Sequence, residues 1–120
     1  MALVLVVDDE MTDLAITRGI VEGMGHEVCL ASDGEEAFRI YMRKDIDLVV
    51  TDLQMPRVDG LELIEGLLAL YPDTKIIAVS AGGEDRLLAA RAIGAIAGVS
   101  KPVDPERLGK AFALAGFDQG

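Results

Sequence analysis

Cysteine and histidine each occur once in these 120 residues, and basic residues are few. A lone Cys29 can form no internal disulfide and, lying in a strand-like segment, reads as core filler. With His26 the only imidazole, no structural zinc set can assemble, and its place after Gly25 suggests a loop residue. Lys and Arg number 11 against 21 acids, a net charge of -10. That balance argues against a domain that holds DNA or RNA by itself, and suits a cation or a basic partner surface. No apolar run reaches membrane-spanning length, and Met1-Ala2-Leu3-Val4-Leu5-Val6-Val7 meets Asp8-Asp9 too soon for a signal peptide. A cytoplasmic protein without membrane contact is expected.

What the chain has in quantity is apolar surface to bury. It is 51% hydrophobic with mean hydropathy +0.34, so it folds, and its length suits one domain. Residues 3–7 form a short β-branched run that reads as a buried strand. A helix over 11–24 carries the stripe Leu14, Thr17, Val21, Met24, and Gly25 offers a left-handed stop. A strand over 27–31 leads through the N-cap turn Ser32-Asp33-Gly34-Glu35 into a helix to about Met42. The central strand is expected over 45–52. Asp59-Gly60 then opens a helix with Leu61, Ile64 and Leu68 inward, closed by Tyr71-Pro72-Asp73. A fourth strand over 75–80 ends in Ser80. Ala81-Gly82-Gly83 is a flexible joint into a helix over 84–93 that Gly94 stops. A short strand over 95–99 precedes Ser100-Lys101-Pro102, and the last helix starts near Pro105 with Leu108, Ala111, Phe112 and Ala115 on one face. Strands alternating with helices in this way ask for a parallel sheet covered on both sides.

Chemistry gathers at the carboxyl ends of the strands, where open parallel sheets bind ligands. Asp52 closes the run Leu48-Val49-Val50-Thr51, and a charge is tolerated there only at the strand's end. Asp8, Asp9 and Glu10 follow the first strand. Adjacent acids repel by roughly 1–4 kcal/mol per close pair. Helix capping needs only one of them, so the doubled Asp points to a cation. Ser80 ends the fourth strand and Lys101 lies beyond the fifth. Clustered carboxylates suit Mg2+, which brings phosphate oxygens with it, while a lysine and a hydroxyl can meet those oxygens. The residues themselves therefore point to a magnesium-dependent phosphoaspartate site.

The motifs Val7-Asp8-Asp9-Glu10, Asp52-Leu53-Gln54-Met55-Pro56 with Asp59-Gly60, Ser80-Ala81, Gly94-Ala95 and Lys101-Pro102 resemble, in order and spacing, the receiver domain of two-component response regulators, across essentially the whole chain. The resemblance implies a flavodoxin-like (βα)5 fold, a doubly wound parallel five-stranded sheet in the order 2-1-3-4-5. It makes Asp52 the phosphoacceptor and Asp9 a direct Mg2+ ligand. Asp8 would act through water and Gln54 through its backbone carbonyl. Ser80 becomes the switch hydroxyl with Ala81 making room, and Lys101 the phosphate-binding lysine, its bond to Pro102 cis. It also implies a phosphoryl group supplied by phosphohistidine on a sensor histidine kinase or a histidine phosphotransfer protein. Output would pass to a downstream protein partner or a covalently linked output domain, and the domain would not be an enzyme in its own right despite self-phosphorylation and self-dephosphorylation chemistry. Gln54 and Gly82 occupy the positions that tune hydrolysis.

At one place the chain departs from the family, which commonly has an aromatic rotor three residues before the lysine. Gly98 stands there. Either the output face rearranges through the Ala81-Gly82-Gly83 backbone and the following helix, or coupling is weak. The residues after the last helix are too few for an effector, so residues 1–120 are expected to be one receiver domain with no effector domain. An unphosphorylated receiver-like interaction module is the alternative. A small Mg-dependent phosphatase fits less well, since Gln54 stands where its acid-base Asp would be, and a flavin site least, for want of a phosphate loop after the first strand.

Overall fold

The apolar runs become strands, and in the central ones both side-chain rows are buried. The computed structural model describes residues 1–117. Its strands are β1 (Leu3–Val7), β2 (Glu27–Ala31), β3 (Leu48–Asp52), β4 (Ile76–Ser80) and β5 (Ala97–Ser100). Between and after them run α1 (Met11–Gly23), α2 (Gly34–Arg43), α3 (Gly60–Leu70), α4 (Glu84–Ala92) and α5 (Pro105–Leu114). The strands are parallel in the order β2-β1-β3-β4-β5. This is the doubly wound arrangement expected.

The period of two sorts the strand residues. Val4, Val6, Val50, Ile77 and Val79 pack with Val21 of α1 and with Leu108 and Phe112 of α5. Leu5, Val7, Val49, Ile76 and Ala78 pack on the other face with Leu63, Ile64 and Leu67 of α3. Every residue of β3 and β4 is buried. Each fully buried large side chain contributes about 1.5–3 kcal/mol of transfer energy, so these two layers hold the sheet edge rigid where the site forms.

Several boundaries differ from the sequence pattern for identifiable reasons. The central strand starts at Leu48, because Asp47 spends its carboxylate on the Leu3 N–H at 2.8 Å. The last strand starts at Ala97, since the Ala95 N–H bonds back to the Ala90 carbonyl at the end of α4. In α3 the buried side centres on Leu63, Ile64 and Leu67, with Leu61 and Leu68 at its margins. His26 is more than a loop residue: its Nδ1 accepts from the Ala2 N–H at 3.0 Å and its ring stacks on Phe112 at 5.4 Å. Gly25 has the positive φ of +93° that a left-handed helix stop requires, and Cys29 packs at the margin of the α3-side core.

Candidate functional site

The ladder hydrogen bonds continue one residue past the strands, and this fixes the site's backbone. The Asp8 N–H bonds the Ala31 carbonyl at 3.1 Å, Leu53 bonds Val79 at 3.0 Å, and Lys101 bonds Ser80 at 3.0 Å. Gly60, the first residue of α3, lies so close to β3 that a Cβ there would sit 2.2 Å from the Asp52 carbonyl oxygen. Only glycine fits that approach. Asp59 completes the turn with a capping box, accepting from the Glu62 N–H at 2.9 Å.

Asp8, Asp9 and Asp52 converge, one carboxylate oxygen of each lying within 4.8 Å of the others. Asp8 and Asp52 are each 4% exposed, whereas Asp9 is open to solvent. None of the three adjacent acids caps α1 through its side chain. Asp8 Oδ1 instead accepts from the Glu10 N–H at 2.9 Å. Lys101 is the shared counter-charge, with Nζ 2.9 Å from Asp8 Oδ2, 2.9 Å from Asp13 Oδ2 and 3.6 Å from Asp52 Oδ1. Its peptide bond to Pro102 is cis, as the resemblance implied.

Burial raises the Asp52 carboxyl above the ordinary value, and the neighbouring Asp8 and Asp9 add to this; Lys101 and the Gln54 backbone oppose it. Burial alone would lower Lys101, but its bonds to Asp8 and Asp13 prevail and hold it above the usual lysine range. Asp52 Oδ1 is buried with no hydrogen-bond partner among the described residues. A charged oxygen in that condition is costly and available to react or to bind.

Ser80 is fully buried at the end of β4, and its Oγ accepts from the Gly82 N–H at 2.9 Å, so its hydroxyl is engaged in the loop. Gln54 is exposed. Its Nε2 would lie 2.5 Å from a Cβ on Gly82 and Arg86 Cδ 2.9 Å from it, so these two side chains fill the space beside Gly82. Where the aromatic rotor is missing, a Cβ on Gly98 would meet Leu87 of α4 at 3.1 Å. Gly98 lines an open groove of about 550 Å³ together with Leu87, Lys110 and Leu114.

Two participants escaped the sequence reading. Asp13 lies in the first turn of α1, one helical turn beyond Asp9, and that spacing could have suggested it. Arg86 of α4 donates from Nη2 to the Leu53 carbonyl at 3.2 Å, beside the Gly60 N–H that bonds the same oxygen at 3.1 Å. Its partner is backbone, which leaves no trace in residue types.

A doubly wound α/β domain with two buried carboxylates, an exposed third and one lysine at the carboxyl edge has the chemistry that suits phosphoryl acceptance. The family model described as the response regulator receiver domain matches residues 4–113. The chain belongs to that family, and its function is that of a phosphoacceptor receiver in two-component signalling. Among curated relatives, the transcriptional regulatory protein ZraR of Salmonella typhimurium is 32% identical over 106 residues, covering 88% of this chain and 24% of its own. GlrR of Escherichia coli is 32% identical over 112 residues, covering 92% of this chain and 25% of its own. The chain thus spans about a quarter of these relatives' length. A receiver domain protein from Clostridium thermocellum superposes with TM-score 0.89 at 32% identity, covering 96% of this chain and 94% of that one. TrrA from Thermotoga maritima, solved in complex with Mg(2+)-BeF, gives 0.87 at 29% identity, covering 96% and 99%.

Proposed function

We propose that Asp52 is the residue that accepts the phosphoryl group, from phosphohistidine on a sensor histidine kinase or a histidine phosphotransfer protein. The observation that carries this is the Asp52 carboxylate itself, buried and unpartnered at Oδ1 with Lys101 at 3.6 Å. A carboxylate oxygen of Asp52 forms the new O–P bond while the P–N bond to the donor imidazole breaks. The imidazole leaves with the electron pair and takes a proton from water. Lys101 gives a hydrogen bond and a positive charge to the phosphoryl oxygens without losing a proton. Ser80 exchanges its bond with the Gly82 N–H for one to a phosphoryl oxygen, with Ala81 leaving it room.

The donor set also fits a hard divalent cation, since it offers three carboxylates at close range and an orphaned buried oxygen. Asp8, Asp9, Asp52 and the Gln54 backbone carbonyl would hold Mg2+, with Asp8 acting through water. When bound, Mg2+ supplies Lewis-acid charge to the oxygens in transfer. Residues 1–120 act as a single receiver domain in the cytoplasm and not as a free-standing enzyme. Its output is a downstream protein or a linked output domain, as the word "transcriptional" in the names of ZraR and its like suggests for those proteins. Of the two switching routes, the backbone route is favoured: Arg86 already ties α4 to the residue after Asp52.

Intact mass after incubation with Mg2+ and acetyl phosphate tests the reading. One added phosphoryl group is expected on the wild type, absent from Asp52→Asn and absent without Mg2+. No gain from acetyl phosphate or from a phosphohistidine donor would leave an unphosphorylated interaction module.

A further inference from the structure

An ammonium group has three N–H donors, and the structure accounts for two of those on Lys101. They go to Asp8 Oδ2 and Asp13 Oδ2, each at 2.9 Å. Asp52 Oδ1 stands 3.6 Å from the same nitrogen, within ion-pair range but beyond a hydrogen bond. That oxygen is buried and has no other partner among the described residues. Attraction between the two should close the gap, because a charge-assisted bond to an orphaned carboxylate is the strongest kind available here. Asp8 holds the lysine at the cluster. Asp13, on α1, takes a second of its donors.

Asp13 has no part in the carboxylate cluster of Asp8, Asp9 and Asp52. As an ordinary first-turn acid it would favour α1 through the helix dipole without touching Lys101. Instead its side chain, 38% exposed, reaches a lysine that is 13% exposed. This contact spans from α1 to the loop after β5.

We propose that Asp13 is a positioning residue: it tethers Lys101 toward α1, leaving Asp52 Oδ1 unpaired before transfer and the third lysine donor free for a phosphoryl oxygen. The inference rests on Asp52 being the phosphoacceptor. A Lys101–Asp52 hydrogen bond formed beforehand would stabilise the carboxylate whose electron pair has to attack phosphorus. It would then have to be traded away on the approach to the transition state. An interaction made only once the phosphoryl group arrives accelerates the step, whereas one made earlier slows it. Asp13 keeps the lysine close while preventing the earlier bond.

Wild type, Asp13→Asn, Asp13→Ala, Asp13→Glu and Asp52→Asn proteins can be compared with Mg2+ and acetyl phosphate, following intact mass at several donor concentrations. The limiting rate of phosphoryl uptake should fall about tenfold in the Asn and Ala variants, the worth of one charge-assisted hydrogen bond newly made in the ground state. The half-saturating donor concentration should not change, and Asp13→Glu should recover toward the wild type. In the metal-free protein the Asp52 carboxyl ¹³C resonance should move in Asp13→Asn and stay in place in Asp13→Glu, reporting the new Lys101 contact without any turnover. A structural role alone would lower the thermal midpoint and leave both the rate per folded molecule and the resonance unchanged, which overturns the proposal. Uptake as fast as or faster than the wild type overturns it as well. If the wild type gains no mass from acetyl phosphate and none from a phosphohistidine donor, the phosphoacceptor reading fails and takes this inference with it; wild-type uptake with an unaffected Asn variant sinks the Asp13 role alone.

Discussion

The two ends of one sheet follow opposite rules. At the carboxyl ends Asp8, Asp13 and Asp52 share the cation of Lys101, and Asp52 Oδ1 is left without a hydrogen-bond partner among the described residues. At the amino ends polar side chains close backbone hydrogen bonds. Asp47 takes the Leu3 N–H at 2.8 Å, His26 takes the Ala2 N–H at 3.0 Å, and Lys75 Nζ gives to the Ala115 carbonyl at 2.9 Å while lying over the Phe117 ring. The second arrangement fastens the termini of β1, α5 and the loops to one another. The first concentrates like charge in a buried place, which costs stability and holds chemistry ready. The carboxyl edge has backbone bonds of this kind as well, from Asp8, Ser80 and Arg86, and what sets it apart is the clustered charge.

The largest break in the comparison comes from Asp52→Asn. Phosphoryl uptake by intact mass should vanish, while stability in urea should hold or rise, by on the order of 1 kcal/mol, because a buried charge near other acids is gone. A marked loss of stability instead would mean that the carboxyl edge fastens the fold too. Phe112→Ala tests the other end. Phe112 is fully buried beneath His26. Its truncation should cost about 3–5 kcal/mol of unfolding free energy. The molecules that remain folded should take up phosphoryl groups at the wild-type rate.

Gly60→Ala lies between these extremes, because a Cβ would sit 2.2 Å from the Asp52 carbonyl oxygen and 2.6 Å from Leu53 Cα. Backbone must move to admit it, at about 1–3 kcal/mol. The part that moves carries the acceptor. Urea midpoint and uptake rate should therefore fall together, and a fall in stability with an unchanged rate would show that the two roles part even within one loop.

The same division governs what could be read in the sequence. The placement of Asp8, Asp9, Asp52, Ser80 and Lys101 at one edge was legible because parallel alternation sends every strand's carboxyl end there. The cis bond at Lys101-Pro102 followed from family resemblance and is present. Boundaries were less legible where side chains take up backbone groups, as Asp47 does ahead of β3. The buried side of α3 was found at Ile64 but drawn off-centre, because Leu61, Leu63, Ile64, Leu67, Leu68 and Leu70 surround it with nearly continuous apolar choices. Asp13 and Arg86 were missed because their partners are set by tertiary reach, one by the length of a lysine and the other by a carbonyl.

Two carboxyls give the smallest effect and the sharpest contrast of sign. Asp104, at the start of α5, accepts from the Arg107 backbone N–H at 2.8 Å and from its guanidinium at 2.8 Å, and these bonds hold its carboxyl below the ordinary 3.8. A carboxyl that binds its proton less tightly when folded contributes stability above 3.8 and loses it as pH falls through the lower folded value. Asp52 runs the other way, since burial and then Asp8 raise it. The folded state then binds the proton more tightly, and the wild type loses stability as pH rises from 3.8 through the raised folded value, after which the loss is constant. Urea midpoints against pH should show the deficit of Asp104→Asn closing below 3.8 and the advantage of Asp52→Asn opening above it. Because Asp104 faces solvent, its effect should be the smaller and should fade with added salt. If both variants instead tracked the wild type with the same slope, the carboxyl edge would carry no buried charge to speak of, and the contrast between the two ends would collapse.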